Sequence, residues 1–358
     1  MHKKLYIPGP VEVGRDVLEA MAAPMVGHRM REYAALHGRV TTALKKLLNT
    51  QEPVFLSTSS AFGVMEGAVR NLVQKRCANF ANGAFSAKWH DVTRRCGLEA
   101  DLFAAEWGEP VTPEMVDEAL ASGRYDAMTV VHNETSTGVM SPLEEIAEVM
   151  KKYPEVSFLV DTVSSMSAVP LNLEALGTDV CLAGVQKAFG LPPGLAVFAV
   201  SRKALDKART TPNRGYYFDF EEFEKNDAKD NTPSTPCISL VHALDLQLTK
   251  MFAEGLEKRY ARHRQMAEAA RSWILAQGFP LFAAEGYRSM TLTSGASDGR
   301  TDLEGLKKLA GERGYAIDNG YGKVKNQTFR IAHMADFTLA DLEELFALLE
   351  ELLPKARS

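Results

Sequence analysis

Cysteine is scarce in this chain and never closely paired. The four cysteines, Cys77, Cys96, Cys181 and Cys237, form no CxxC, which leaves no sign of a disulfide framework or a cysteine zinc site. The eight histidines include no pair at i, i+4 and no HExxH, so no cluster has metal-ligand spacing and no metal is expected. Neither the Walker-type glycine–lysine loop nor GxGxxG occurs, which removes the familiar nucleotide-binding turns. No apolar run approaches the ~18 residues a membrane helix needs. The start, Met1-His-Lys-Lys-Leu-Tyr-Ile-Pro-Gly-Pro10, has too short an apolar stretch for a secretory signal. A net charge of −5 and the lack of any basic tract argue against nucleic acid as a partner. Internal repeats and low-complexity segments are missing too. A reduced, cytoplasmic protein is the simplest expectation.

What is present is a soluble, globular composition, with 46% hydrophobic and 24% charged residues over 358 positions. That length exceeds one ordinary core and predicts a large domain with a smaller one. Short apolar runs alternate with amphipathic segments through the first 200 residues. Strands are expected at Val54–Leu56, Ala78–Ala81, Asp126–Val131, Val156–Val160, Asp179–Ala183 and Leu195–Val200. Helices are expected over residues 14–48 (broken near Ala23–Met25), Val64–Val73, Ala87–Cys96 and, with Ser141 as N-cap, Pro142–Tyr153. This alternation predicts a mostly parallel sheet covered by helices on both faces, with ligands bound beyond the carboxyl ends of its strands. A polar, aromatic-bearing connection fills 207–237. One long helix, Ile238–Gln277, then leads to a C-terminal unit with strands near Ser289–Leu292 and Thr328–Ile331. Its last helix is capped by Thr338 with Asp341 three residues on and carries a leucine stripe that reads as core.

Polar groups recur just after the apolar runs. Lys187 follows a buried strand and precedes the tight segment Ala188-Phe-Gly-Leu-Pro-Pro-Gly194; alone it reads as a solvated lysine, but a desolvated amine can lose its proton and attack an aldehyde. Asp161 ends its own strand and is compatible with a helix cap, a metal ligand, or a carboxylate beneath a protonated pyridine nitrogen. Ser59-Ser-Ala-Phe-Gly63 opens a helix with small residues, either as an ordinary cap or as a phosphate site. Phe85 suits stacking on a flat ring or plain core packing. Arg330 lies within an apolar strand and needs a partner, either a substrate carboxylate or a structural ion pair.

Taken in order, Pro8-Gly-Pro10, Asn82-Gly-Ala-Phe85, His132-Asn-Glu-Thr-Ser-Thr-Gly138, Val160-Asp-Thr-Val-Ser-Ser165, Gly184-Val-Gln-Lys-Ala188 with Pro192-Pro-Gly194, and Phe329-Arg-Ile-Ala-His-Met334 cover nearly the whole chain. In these motifs it resembles the class V aminotransferases of the serine–pyruvate and alanine–glyoxylate group, built on the fold-type-I scaffold of pyridoxal-phosphate (PLP) enzymes. The resemblance implies an α/β fold: an N-terminal segment, 1–15, near the site; a large cofactor-binding domain, 16–245; and a small α+β domain, 246–358. It implies that Lys187 is the Schiff-base lysine and proton shuttle, that Asp161 pairs with the pyridine nitrogen, and that Phe85 stacks on the ring. Thr135 would lie near the ring hydroxyl. Ser60, Ala61, Phe62 and Gln186 would hold the phosphate, with Thr232 and Thr235 reaching the neighbouring subunit's phosphate in a homodimer. Arg330 would bind the substrate α-carboxylate, with Pro10 close by. The reaction implied is ping-pong transfer of an amino group from a small amino acid, alanine or serine, to glyoxylate or pyruvate. The alternative is a phosphoserine, aspartate or glutamate donor with 2-oxoglutarate, its anionic side chain received by His28 and Arg29. The turn at 59–62 departs from the glycine-rich form common in relatives. Cysteine desulfurase chemistry is disfavoured, because residues 238–358 hold no cysteine and Gln186 stands where histidine normally precedes the lysine. A PLP lyase shares the same machinery.

Overall fold

The computed structural model describes residues 2–357. Seven strands form its main sheet: β1 (Val54–Ser57), β2 (Cys77–Ala81), β3 (Ala100–Ala104), β4 (Ala127–Val131), β5 (Ser157–Asp161), β6 (Val180–Gly184) and β7 (Ala196–Val200). Their order is β1-β7-β6-β5-β4-β2-β3, and β7 alone runs antiparallel to its neighbours. The inner strands are buried along their whole length, as a sheet covered on both faces requires. Side chains alternate between the layers: Phe158 and Val160 face one core with Cys181 and Ala183, while Leu159 faces the other with Val180 and Leu182. The first core is closed by helices α1 (Arg31–Leu48) and α4 (Ile238–Glu254), the second by α2 (Ala61–Leu72) and α3 (Ala84–Arg95).

Several boundaries differ from the sequence expectation. Helix α2 begins at Ala61 and α3 at Ala84, three residues earlier than expected in each case, so Ala61, Phe62 and Phe85 lie in first turns at the sheet's carboxyl edge. The helix after β4 is Leu143–Met150, and Ser141 does not cap it; Ser141 Oγ instead accepts from Val111 N at 3.2 Å and Asn82 Nδ2 at 3.5 Å. The long helix is two, α4 and α5 (Leu256–Ala276), split at Gly255 with φ +88°, a conformation that ends one helix and frees the next to turn. The 207–237 connection contains the helix Phe220–Asp227. In the C-terminal unit β8 is Leu292–Ala296 rather than 289–292, because Ser289 Oγ accepts from Thr291 N and Leu292 N and makes a turn there. It pairs antiparallel with β9 (Thr328–Ala332), setting Ser294 opposite Arg330. The last helix, α6 (Leu339–Ala356), carries the expected capping box between Thr338 and Asp341 and buries Leu342, Leu345, Leu349, Leu352 and Leu353.

The N-terminal segment ties the two units together. Lys4–Leu5 pairs with Tyr315–Ala316, Tyr6 packs into the C-terminal core, and Gly9 and Pro10 reach the edge of the main sheet.

Candidate active site

A cavity of about 240 Å³ opens at the carboxyl ends of the central strands. Gly9, Pro10, Ser60, Ala61, Phe62, Phe85, Thr135, Asp161, Gln186 and Lys187 all line it. Thr135, Asp161 and Lys187 share one cleft because strands β4, β5 and β6 lie side by side and each is followed by or ends in a polar group, and the N-terminal segment brings Gly9 and Pro10 to the same cleft through the Lys187–Pro8 contact. Among the residues lining it, Lys187 carries the one cation.

Lys187 is half-buried in the turn after β6, with its amine turned inward. Its Nζ donates to the Pro8 carbonyl and stands 5.9 Å from the Phe85 ring centroid. Gly9 makes this approach possible: a Cβ there would lie 2.6 Å from Lys187 Cδ, and the residue sits at φ +131°. Burial, reinforced by the positive charge of Arg330, pulls the Lys187 amine down to about 8. Reductive alkylation with a small aldehyde should therefore modify Lys187 with a midpoint near pH 8, while exposed lysines follow at about pH 10.4. Peptide mapping against pH tests this; labelling of Lys187 in step with the surface lysines would refute it.

Asp161 ends β5, 4% exposed. Its Oδ1 accepts from Val163 N at 2.9 Å and its Oδ2 from Trp89 Nε1 at 3.2 Å. Burial pushes the carboxyl up to about 6 in spite of these donors, so the ionised form has a large unmet demand for a cation. Phe85 and Val163 both line the cavity with Asp161, and the Phe85 ring stacks on Tyr321 at 5.2 Å between centroids. Phe85 is held from behind. The buried Glu134 accepts from Ser86 N and Oγ at 2.7 and 2.8 Å, from Ser136 N and Oγ at 3.0 and 2.7 Å, and from Phe85 N at 3.4 Å, fixing the first turn of α3. Gly83 allows it, since a Cβ there would meet Glu134 Cγ at 2.4 Å.

Polar groups in the cleft carry unmet capacity. Gln186 Oε1 and Asn133 Oδ1 are buried with no hydrogen-bond partner, a costly arrangement for a cleft meant to stay empty. At the other end Ser60 is the N-cap of α2 without a side-chain cap bond, which leaves first-turn N–H groups free for an anion. Thr135 Oγ1 bonds Ser164 Oγ at 3.0 Å, and Ser164 Oγ donates to the Asn133 carbonyl at 2.8 Å. His132 is buried against Ser165 Oγ at 3.0 Å and driven down to about 4, so it stays neutral and structural.

The remaining sequence candidates stand apart from the cavity wall. Arg330 is buried beside it: Nη1 donates to the Thr135 carbonyl at 2.7 Å and Nε to Asp318 Oδ1 at 2.7 Å. The ion pair considered from sequence is therefore real, while Nη2 makes no hydrogen bond among the described residues and the Nη edge keeps unused donors. Thr232 is buried with its hydroxyl on the Ser234 carbonyl, and Thr235 is exposed; neither lines this chain's cavity. Their segment does touch the phosphate-type turn, through Cys237 N to Thr58 Oγ1 at 3.0 Å. His28, part-buried, and the exposed Arg29 lie in the loop before α1, outside the cavity. Sequence reasoning gave no role to Trp89, Val163, Glu134 or Asp318. Trp89 stands one helical turn after Phe85, and Val163 lies two residues after Asp161, so both had a legible signal; Asp318 had none.

Residues 17–320 match the family described as Aminotransferase class-V. The chain is 33% identical over 349 residues to the serine–glyoxylate aminotransferase of Methylorubrum extorquens, covering 93% of this chain and 86% of that protein. It is 31% identical over 344 residues to the L-aspartate–glyoxylate aminotransferase of Paracoccus denitrificans, covering 93% and 87%. The crystal structure of an alanine–glyoxylate aminotransferase from Nostoc sp. superposes with a TM-score of 0.93 at 27% identity, over 99% of this chain and 96% of that one.

Proposed function

The chain belongs to the class V aminotransferases, and from that membership and the cleft we propose that it binds PLP on Lys187 and transfers the amino group of a small amino acid to glyoxylate. The observation that carries this reading is one cavity lined by the amine of Lys187, the buried carboxylate of Asp161, Phe85 and Val163, with the amine shifted down and the carboxyl shifted up by burial. The cleft fits the cofactor. Asp161 would hold a cationic ring nitrogen, Gln186 and the first turn of α2 would offer donors to a phosphate, and Thr135 and Asn133, which line the same cavity, would offer polar partners to the ring. When bound, PLP supplies the electron sink that makes the substrate's α-proton acidic.

The chain's own residues do the rest. Lys187, short of a full positive charge near neutral pH, accepts a proton and can return it within the same cleft. Asp161 holds its negative charge against a cationic ring nitrogen. Phe85 and Val163 offer apolar cavity walls to a flat ring, and Glu134 fixes the backbone turn that carries Phe85. Arg330 presents its Nη edge to a carboxylate, common to the amino and oxo acid alike. We further propose a cytoplasmic homodimer: Tyr216 and Tyr217 are exposed at 64% and 43%, Tyr217 OH donates to the Thr58 carbonyl at 3.0 Å, and Phe62 beside the cleft is 42% exposed, so apolar surface surrounds the site mouth. In that assembly Thr232 and Thr235 would serve the neighbouring subunit's site.

The test is a half-reaction. PLP-loaded protein mixed with serine or alanine should lose its visible absorbance, and glyoxylate should restore it; no change with either donor refutes the donor proposal. Arg330→Gln should raise KM for both donor and acceptor about 100-fold, with kcat lowered less, since a charge-assisted two-point contact is worth about 1.5–3 kcal/mol. Steady-state kinetics decide it, and unchanged KM values would remove Arg330 from the carboxylate site.

A further inference from the structure

The names of the relatives disagree about the donor. One carries serine, a monocarboxylate, and another aspartate, a dicarboxylate. A fixed carboxylate stands beside Arg330. Asp318 lies opposite Arg330 across a backbone bridge, with Arg330 N on the Asp318 carbonyl at 2.9 Å. Asp318 Oδ1 accepts from Arg330 Nε at 2.7 Å and from Gly320 N at 2.8 Å. Oδ2 makes no hydrogen bond among the described residues, and the side chain is 23% exposed. This carboxylate therefore sits against the guanidinium that would hold the α-carboxylate, with one oxygen free of any protein partner and part-exposed. It is also within electrostatic reach of Lys187. Apart from Lys187, the amine to which the cofactor would attach, no cation lines the cavity; His28 and Arg29 lie outside it.

We propose that Asp318 is a specificity-determining residue that admits monocarboxylate donors and acceptors and repels those with a second carboxylate, through its fixed charge beside Arg330. The inference rests on the reading of Arg330 as the carboxylate site. Every amino acid places one carboxylate on the guanidinium, so Asp318 affects that contact equally for all. An aspartate or glutamate donor held on Arg330 brings a second negative charge toward Asp318, with no cation besides Lys187 in this cavity to receive it. Alanine, serine and glyoxylate bring none.

Asp318→Asn isolates the charge. Its amide oxygen keeps both hydrogen bonds of Oδ1, and its nitrogen replaces an oxygen that has no partner. The measurement is kcat/KM for L-alanine and for L-aspartate, each with glyoxylate, in the PLP-loaded wild type and variant. The wild type should prefer alanine, and the aspartate-to-alanine ratio should rise about tenfold or more in Asp318→Asn, mainly through KM for aspartate. The alanine reaction serves as the internal check on folding. A ratio unchanged within about twofold, or equal losses with both donors, would show a merely structural role and overturn the proposal, as would a wild type that prefers aspartate. A wild type that turns over neither donor overturns the donor reading itself, and this inference with it; a working wild type with an unmoved ratio overturns this inference alone.

Discussion

Lys187→Ala should lose turnover by about 10⁴-fold or more, because the substitution removes the group that moves the α-proton. It also removes the amine to which PLP would attach. The variant should still take up the cofactor through the Asp161, Phe85 and α2 contacts, but release it on dialysis after denaturation and show no borohydride-stabilised label. The fold should survive, since the amine is a desolvated group whose only hydrogen bond among the described residues is to Pro8. Three measurements check this: single-turnover rate, cofactor retention after reduction, and thermal midpoint. Retention of a covalent label would place the attachment on another lysine. A turnover loss under tenfold would deny Lys187 the proton.

Asp161→Asn comes second, with an expected loss of about 10²–10³-fold. Asparagine has nearly the same shape, and its oxygen can still accept from Val163 N, but it cannot hold a proton on a ring nitrogen through a full charge. Its stability effect has the opposite sign. A carboxyl whose folded value is raised from 3.8 to about 6 is stabilising while protonated, and that stability is lost as pH rises from about 4 through 6. At neutral pH the buried charge costs the cofactor-free protein about 3 kcal/mol at 1.36 kcal/mol per unit. Part of that gain is offset in the variant, where an amide nitrogen facing Trp89 Nε1 would put two donors together. Cofactor-free Asp161→Asn should therefore melt at or above the wild-type temperature at pH 7.5, with the advantage vanishing near pH 4. PLP should stabilise the wild type more than the variant. An advantage that persists unchanged at pH 4 would show that charge burial is not its cause.

Much of the candidate cavity lining was legible in the sequence for a physical reason. A parallel sheet places the carboxyl end of every inner strand at one edge, so a polar residue directly after an apolar run is already assigned to that edge. Lys187, Asp161 and Thr135 were readable this way, and Phe85 and Ser60 by their place in small-residue turns before helices. Arg330 was visible as a cation in an apolar strand, though periodicity could not choose between ion pair and substrate contact. The two turned out to be compatible, because Nε faces Asp318 and the Nη edge does not.

The sequence by itself determined the strand–helix alternation, the chemistry-bearing residue types and their position after strands, because side-chain period and turn composition are local. It also carried the capping box at Thr338 and the leucine stripe of α6. Only the tertiary structure decided which groups face each other. The break at Gly255 followed from a left-handed φ that glycine permits but does not demand, and Ser141 was drawn from its expected cap by acceptor-seeking groups of Val111 and Asn82, 30 and 59 residues away in the chain. The lowered Lys187 amine, the raised Asp161 carboxyl and the Asp318–Arg330 pair depend on burial and on distance through space, and neither quantity is written in the order of the residues.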